Sequence, residues 1–240
     1  MNTANASYAV RGRFILNTRP AIYRARTAAA FAGTGLPVVD WPLFTPHATA
    51  RAWPAPDSFD AVLFTSQVAV AFAPPAWHGL TAYVVGKGTE AAALAAGFKL
   101  VIRTGQDAAD MVQALQGAQF QRALYASGAD ITTDLAATFP GRVERLAVYE
   151  MAAEDRVPET VVERIEKGGA IAPLFSRQTG RELARQLTGA QVDLGSIDAI
   201  GMSANVFDPP NIWRREIVAK APTLDGIAQA VTDLIRAESS

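Results

Sequence analysis

The sequence predicts an α/β fold of two lobes, each a parallel, doubly wound sheet with helices on both faces. Two observations predict it. Short apolar, strand-like runs alternate with helical patterns along the whole chain, as parallel strands joined by crossover helices require. The middle block also has a grammar of its own: Leu63-Phe64 before Thr65-Ser66, Val84-Val85 before Gly86, Val101-Ile102 before Thr104-Gly105. The last third repeats it, with the run 170–175 before Ser176, Ala199-Ile200 before Gly201, and Ile217-Val218-Ala219 before Pro222-Thr223. With 240 residues, half of them apolar, each repeat can bury a core of its own.

Taken in order, Phe14-Ile15-Leu16 is the first strand and 24–31 the first helix, ended at Gly33 and Gly35. Val38-Val39 leads into Trp41-Pro42-Leu43-Phe44-Thr45-Pro46. The prolines there forbid a helix, so this segment is an extended linker or an edge strand. Trp53-Pro54-Ala55-Pro56 is a loop for the same reason. Buried strands follow at 61–64, 83–85, 100–102 and 123–125, with helices near 67–72, 89–96, 108–115 and 132–138. Asp107 is the N-cap of the third. The strand 145–149 leaves this block, and Pro158 opens a charged helix that runs to Lys167 and stops at Gly168-Gly169. The first strand and helix are too few to make a sheet, so they join the C-terminal block, which is short of strands. The chain then crosses between lobes twice, near 38–44 and 146–153, giving one lobe of 1–39 with 154–240 and another of 40–153. Adjacent crossings permit a two-stranded hinge, and a cleft between hinged lobes suits a ligand.

Composition removes several functions. A formal charge of -1 without any basic block argues against nucleic-acid binding, which needs a basic face for phosphates. The absence of cysteine excludes disulfides, thiol nucleophiles and sulfur-ligated metals. His47 and His78 lie far apart with no acid at ligand spacing, which leaves neither a metal site nor a Ser/His triad, and both are read as loop residues. No apolar stretch has the length of a signal peptide or a membrane span, so a cytoplasmic protein without a membrane partner is expected.

Ser, Thr and Gly collect where strands turn into helices: Thr18, Thr65-Ser66, Gly86, Gly88 and Thr89, Ser127-Gly128, Ser176, Gly201 and Ser203, and Thr223. The carboxyl ends of parallel strands form the ligand edge of such sheets, and exposed helix starts there favour anions. A helix cap worth about 1 kcal/mol accounts for any one of these residues alone. As a set, dispersed donors suit a large ligand with several carboxylates, each drawing about 0.3–1 kcal/mol from a helix start. Gly86-Lys87-Gly88-Thr89 fits neither the phosphate loop nor the dinucleotide fingerprint, and Lys87 is read as solvated. Arg19 and Arg177 each follow a strand end and are open to a carboxylate ligand or to a surface ion pair. Tyr149 is the candidate acid, since a phenol keeps its proton at neutral pH; packing is the other reading of a strand tyrosine.

In order and spacing, Asn17-Thr18-Arg19-Pro20, the runs 64–70 and 84–89, Leu124-Tyr125-Ala126-Ser127-Gly128, Leu146-Ala147-Val148-Tyr149, Leu174-Phe175-Ser176-Arg177 and Ala221-Pro222-Thr223 resemble uroporphyrinogen-III synthases over nearly the whole chain. The resemblance implies two flavodoxin-like lobes joined by a two-stranded β ladder. It implies hydroxymethylbilane as substrate, a linear tetrapyrrole closed with loss of water and inversion of ring D through a spiro intermediate, with its acetates and propionates held by amides and hydroxyls. By position Ser66, Thr89, Ser176 and Ser203 match family cleft residues, and Tyr149 matches the tyrosine that helps expel the terminal hydroxyl. No metal or organic cofactor is implied. A monomer is expected, with transient contact to hydroxymethylbilane synthase left open; nothing resembles an extended coiled-coil seam. A degenerate, two-lobed sensor of an anionic metabolite is the rival reading. One departure stands out: Pro209-Pro210 falls where the family continues a helix after Gly201, and should shorten or break it.

Overall fold

The computed structural model describes residues 12–238. In chain order the strands are β1 (Phe14–Asn17), β2 (Val38–Asp40), β3 (Phe44–Ala48), β4 (Ala61–Phe64), β5 (Thr81–Val85), β6 (Leu100–Gly105), β7 (Ala123–Gly128), β8 (Val143–Ala153), β9 (Ala170–Leu174), β10 (Ile197–Gly201) and β11 (Arg215–Val218). The α-helices are α1 (Arg24–Phe31), α2 (Gln67–Ala71), α3 (Gly86–Ala96), α4 (Ala108–Gln116), α5 (Leu135–Thr138), α6 (Glu159–Gly168), α7 (Arg177–Gly189) and α8 (Leu224–Glu238). The chain divides into two units: unit 1 holds the described residues up to Thr45 and from Ala153 onward, and unit 2 is Pro46–Ala152.

Unit 1 carries a five-stranded sheet in the order β11-β10-β9-β1-β2, every pair parallel. Counting only this unit's strands, the order is 2-1-3-4-5 read from β2, the flavodoxin order, whose direction reverses between β1 and β9. The first strand thus finds its sheet with the C-terminal strands, as the strand count required. Alternation along β1 feeds both faces: Phe14 and Leu16 pack with Leu183, Leu187 and Trp213 on one, Ile15 with Ile171, Ile200, Ile227 and Val231 on the other.

At the amino ends of these strands lies a buried ion network. Asp198 on β10 is fully buried and bonded to Arg13, itself almost fully buried, and to Arg214, whose Nε lies at 2.8 Å. Arg13 also reaches Glu238 at the end of α8 at 2.5 Å, and Arg215 binds the same carboxylate at 2.8 Å. The network ties the last helix to the foot of the sheet.

In unit 2 the parallel strands run β8-β7-β4-β5-β6, which is 3-2-1-4-5 read from β6, the other common doubly wound order, reversing between β4 and β7. Val62, Phe64, Trp77, Phe98 and Leu124 fill one face; Leu63, Met111, Leu115 and Tyr125 fill the other. The proline-containing segment resolves as an edge strand: β3 lies beside β8, and the bonds Thr49 N to Val148 O and Glu154 N to Leu43 O show the two running antiparallel. Both passages of the chain between the units fall inside these two strands.

Three expectations need correction. The strand at 100–102 is not buried; β6 is the sheet edge, with Leu100 53% and Ile102 39% exposed, a position that composition alone does not reveal. His47 lies within β3 and not in a loop, whereas His78 closes the short turn Pro75–Trp77 and packs its ring on Phe98. The helix expected from 132 begins at Leu135, because Asp134 caps it by accepting from the amides of Ala136 and Ala137. After Gly201 the prolines leave only the short turn Ala204–Val206. Among the described residues no helix is long and apolar enough to cross a membrane.

Candidate functional site

The strand order of unit 2 reverses between β4 and β7, and the crevice outside the carboxyl ends of such a pair is where open α/β sheets take ligands. Thr65-Ser66 follows β4 and Ser127-Gly128 ends β7. Ser66 is the N-cap of α2, its Oγ accepting from Val68 N at 3.1 Å. That same Oγ accepts from the Tyr149 hydroxyl at 3.3 Å. The Tyr149 ring stacks on Phe72, centroids 5.8 Å apart, and a Cβ on Gly128 would stand 2.9 Å from its Cζ. The phenol is therefore fixed between an aromatic ring and a bare backbone.

A register shift explains why Tyr149 faces this way. Ser127 on β7 is opposite Ala147, but Gly128 is opposite Tyr149, so Val148 is an extra residue in β8. Strict alternation would place Tyr149 on the face opposite Leu146 and Val148. The bulge turns it onto theirs.

The other residues of this edge divide between open and engaged. Thr65 Oγ1 lies 3.0 Å from the hydroxyl of Tyr125, whose pKa burial raises against the opposing hydrogen bond from Thr65. Gly86, expected in the turn before a helix, with Gly88 and Thr89 starts α3 itself; Gly86 has a φ of 67°, open to glycine at little strain. The Gln67 side chain lies over Gly88, where a Cβ would collide with it. Lys87 is exposed, while Thr89 is buried. Ser127, expected at the mouth, is 1% exposed. Its Oγ donates to Gly128 O at 2.9 Å and accepts from Arg145 Nε at 3.0 Å, so it braces the turn and offers no free donor.

In unit 1 the order reverses between β1 and β9, and Thr18-Arg19 and Phe175-Ser176 follow those two strands. The Arg19 guanidinium lies between the rings of Tyr23 at 4.3 Å and Phe175 at 4.5 Å. One of its terminal nitrogens is buried without a hydrogen-bond partner, and no acid among the described residues pairs with it. Burial lowers its pKa; Tyr23 opposes the shift and Arg26 adds to it. Thr18 is buried, its hydroxyl likewise without a partner. A desolvated charge and a desolvated hydroxyl left unpaired are costly, and an anion would relieve the first.

Ser176 caps α7 through Thr179 N, and Thr223 Oγ1 accepts from Gly226 N at 3.0 Å at the start of α8. Ser203 is exposed and makes no cap bond. Of the two roles open to Arg177, the structure shows the ion pair: its Nε meets Asp208 at 2.5 Å, as does Arg181 at 2.6 Å, and the Arg177 hydrogen bond leads the causes that lower the Asp208 pKa. Residue type at strand ends missed Arg145, Phe72 and Phe175. A charge inside the apolar run 145–149 was the one signal available for Arg145.

A phenol among hydroxyls at the reversal point of a parallel sheet is the kind of edge at which α/β proteins take small molecules. The model of the family described as uroporphyrinogen-III synthase HemD matches residues 25–229. The chain belongs to the uroporphyrinogen-III synthase family, whose members are cyclising lyases of tetrapyrrole biosynthesis. Among solved structures, the uroporphyrinogen-III synthetase of Helicobacter pylori 26695 is similar at 16% identity and a TM-score of 0.64, covering 92% of this chain and 99% of its own. That likeness shows the fold. The wild-type uroporphyrinogen III synthase of the extremely thermophilic bacterium Thermus thermophilus aligns over 95% of this chain and 99% of its own at 13% identity and a TM-score of 0.44. No curated protein matches the chain in sequence.

Proposed function

We propose that this chain closes hydroxymethylbilane to uroporphyrinogen III, and that Tyr149 is the acid. The observation that carries the reading is the Tyr149 hydroxyl held 3.3 Å from Ser66 Oγ at the β4/β7 reversal. The phenol gives its proton to the terminal hydroxyl, which leaves as water, and the azafulvene formed closes through the spiro intermediate that turns ring D around. The substituted α carbon of ring D bonds to the azafulvene methylene to form the spiro centre, and its bond to the bridge from ring C then breaks. The unsubstituted α carbon of ring D bonds to that freed bridge and loses its proton as the pyrrole regains aromaticity, which restores the phenol. Because the precursor also cyclises unaided, to the unrearranged isomer, the protein's main task is to choose a geometry; holding flexible ends in a near-attack arrangement is catalysis by positioning. The donors proposed for acetates and propionates are, in unit 2, Thr65, Ser66 and the start of α3 at Gly86, Gly88 and Thr89, and, in unit 1 taken by itself, Arg19, Ser176, Ser203 and Thr223. Ser127 is assigned to support because it is buried and its hydroxyl already donates to Gly128 O, and Arg177 because its charge is paired with Asp208. The substrate is a small molecule, and a cytoplasmic monomer fits the reading.

The test is to add freshly generated hydroxymethylbilane and resolve the isomers. Type III product is expected; type I alone would leave a binding protein.

Arg19 gives a separate expectation. With no acid beside it, this guanidinium burdens the folded state, so Arg19→Met should unfold at the wild-type temperature or higher. Loss of a charged hydrogen bond to substrate should raise KM about tenfold. Steady-state kinetics and thermal unfolding check both halves, and an unchanged KM would remove Arg19 from the site.

A further inference from the structure

We infer that Arg145 is a positioning residue for Tyr149, a brace that holds the bulge in β8 and thereby the direction of the phenol. The inference rests on the assignment of Tyr149 as the acid. Where Val148 is inserted, the ladder between β7 and β8 loses its even register, and carbonyls near the break need other donors. Arg145, on β8 itself, supplies them. Its Nε donates to Ser127 Oγ at 3.0 Å, and its terminal nitrogen to Gly128 O at 2.9 Å and Ala129 O at 2.6 Å. Ser127 Oγ passes the bond on to Gly128 O. Beyond the break Ala129 N returns to Tyr149 O at 2.8 Å.

The opposite side of β8 is held as well. Thr49 donates from Oγ1 to Ala147 O at 2.7 Å and from its amide to Val148 O at 3.2 Å. The stretch 147–149 is thus bonded to Thr49 on one side and to Ala129 on the other, and Arg145 adds the charged bonds that hold the turn 127–129 against it. Its hydrogen bonds all run to the turn 127–129, whose Gly128 backbone forms one wall of the Tyr149 ring. Three acceptors on one planar fork fix that wall in direction as well as distance, which a lysine ammonium cannot reproduce. Arg145 therefore acts through the phenol, not on the substrate.

The test is a double-mutant cycle. Arg145→Gln and Arg145→Lys are made in the native chain and in Tyr149→Phe, and kcat, KM and the isomer ratio are measured. In the native background Arg145→Gln should lower kcat about tenfold with KM nearly unchanged, since the acid is misaimed and the carboxylate donors are not. Arg145→Lys should recover only part of the loss. With Tyr149→Phe present, Arg145→Gln should remove little more, because the group it aims is gone. Equal fractional losses in the two backgrounds, or a native kcat in Arg145→Gln, would overturn the inference. Should Arg145→Gln not fold, Ser127→Ala, which deletes one acceptor, carries the same comparison with a smaller loss. A wild-type chain that yields only type I isomer sinks the activity itself, whereas an active wild type with additive losses sinks only the brace.

Discussion

Gly128→Val is expected to lower the rate of type III formation about a hundredfold, the scale of loss that follows an ångström of misplacement at a reacting group. A Cβ at this position would stand 2.9 Å from Tyr149 Cζ and 3.0 Å from its oxygen, closer than real Cβ contacts come. The retreat of the ring is limited by Phe72, which stacks against it. Gly128 is itself buried, and its carbonyl is held by Ser127 and Arg145, so the backbone is not free to yield either. Valine must then displace the phenol from Ser66, and overpacking should also cost about 1–3 kcal/mol of stability. Isomer-resolved rates, with thermal unfolding to confirm a folded protein, make the check. Wild-type turnover in a folded Gly128→Val would mean that the direction of the phenol does not matter.

The second large effect lies at the far end of unit 1. Asp198→Asn should destabilise the fold by about 3 kcal/mol, because removing one member of a buried pair leaves its partner charged and desolvated. Asp198 is fully buried and Arg13 nearly so; Glu238 still reaches Arg13, which keeps the figure at the lower end. The same carboxylate should shape the acid limb of stability. Burial pushes its pKa upward, but the Arg214 hydrogen bond and the charges of Arg13, Arg214 and Arg215 outweigh burial and hold it below the ordinary value. A folded value below the unfolded one gives a contribution that is complete above about pH 4, the unfolded carboxylate range, and is lost as pH falls through the folded value. Unfolding followed from neutral pH down into that acid range should show a component in the wild type that Asp198→Asn lacks. Equal slopes in the two proteins would deny Asp198 this role.

Legibility in the sequence tracked how local each cause was. β4 and β7 are runs buried on both faces, so their strand character stood in the residues themselves. The start of β6, 100–102, is as apolar as β4, yet its exposure depends on having no neighbour on one side, which no window of residues contains. The placement of Ser66 and Gly128 at strand ends could be read from punctuation. The facing of Tyr149 could not, since alternation along β8 gives the wrong face until Val148 is known to be inserted. Arg177 meets Asp208 across 31 positions, through a proline-bent loop whose path only the fold determines. Arg19 is legible as a cation after a strand, but its enclosure by Tyr23 and Phe175 joins segments far apart in sequence.

The pairing of Ile15 with Ile171 also orders events at the ribosome. While the chain is being made, unit 2 is an unbroken stretch, 46–152, and every strand of its parallel sheet is translated before β9. The strands β1 and β2 emerge first but wait, because three of the five strands of their sheet, β9, β10 and β11, come after unit 2. The nascent N-terminal segment is therefore the part of the chain that spends longest without its partners, with the apolar side chains of Phe14, Ile15 and Leu16 still uncovered.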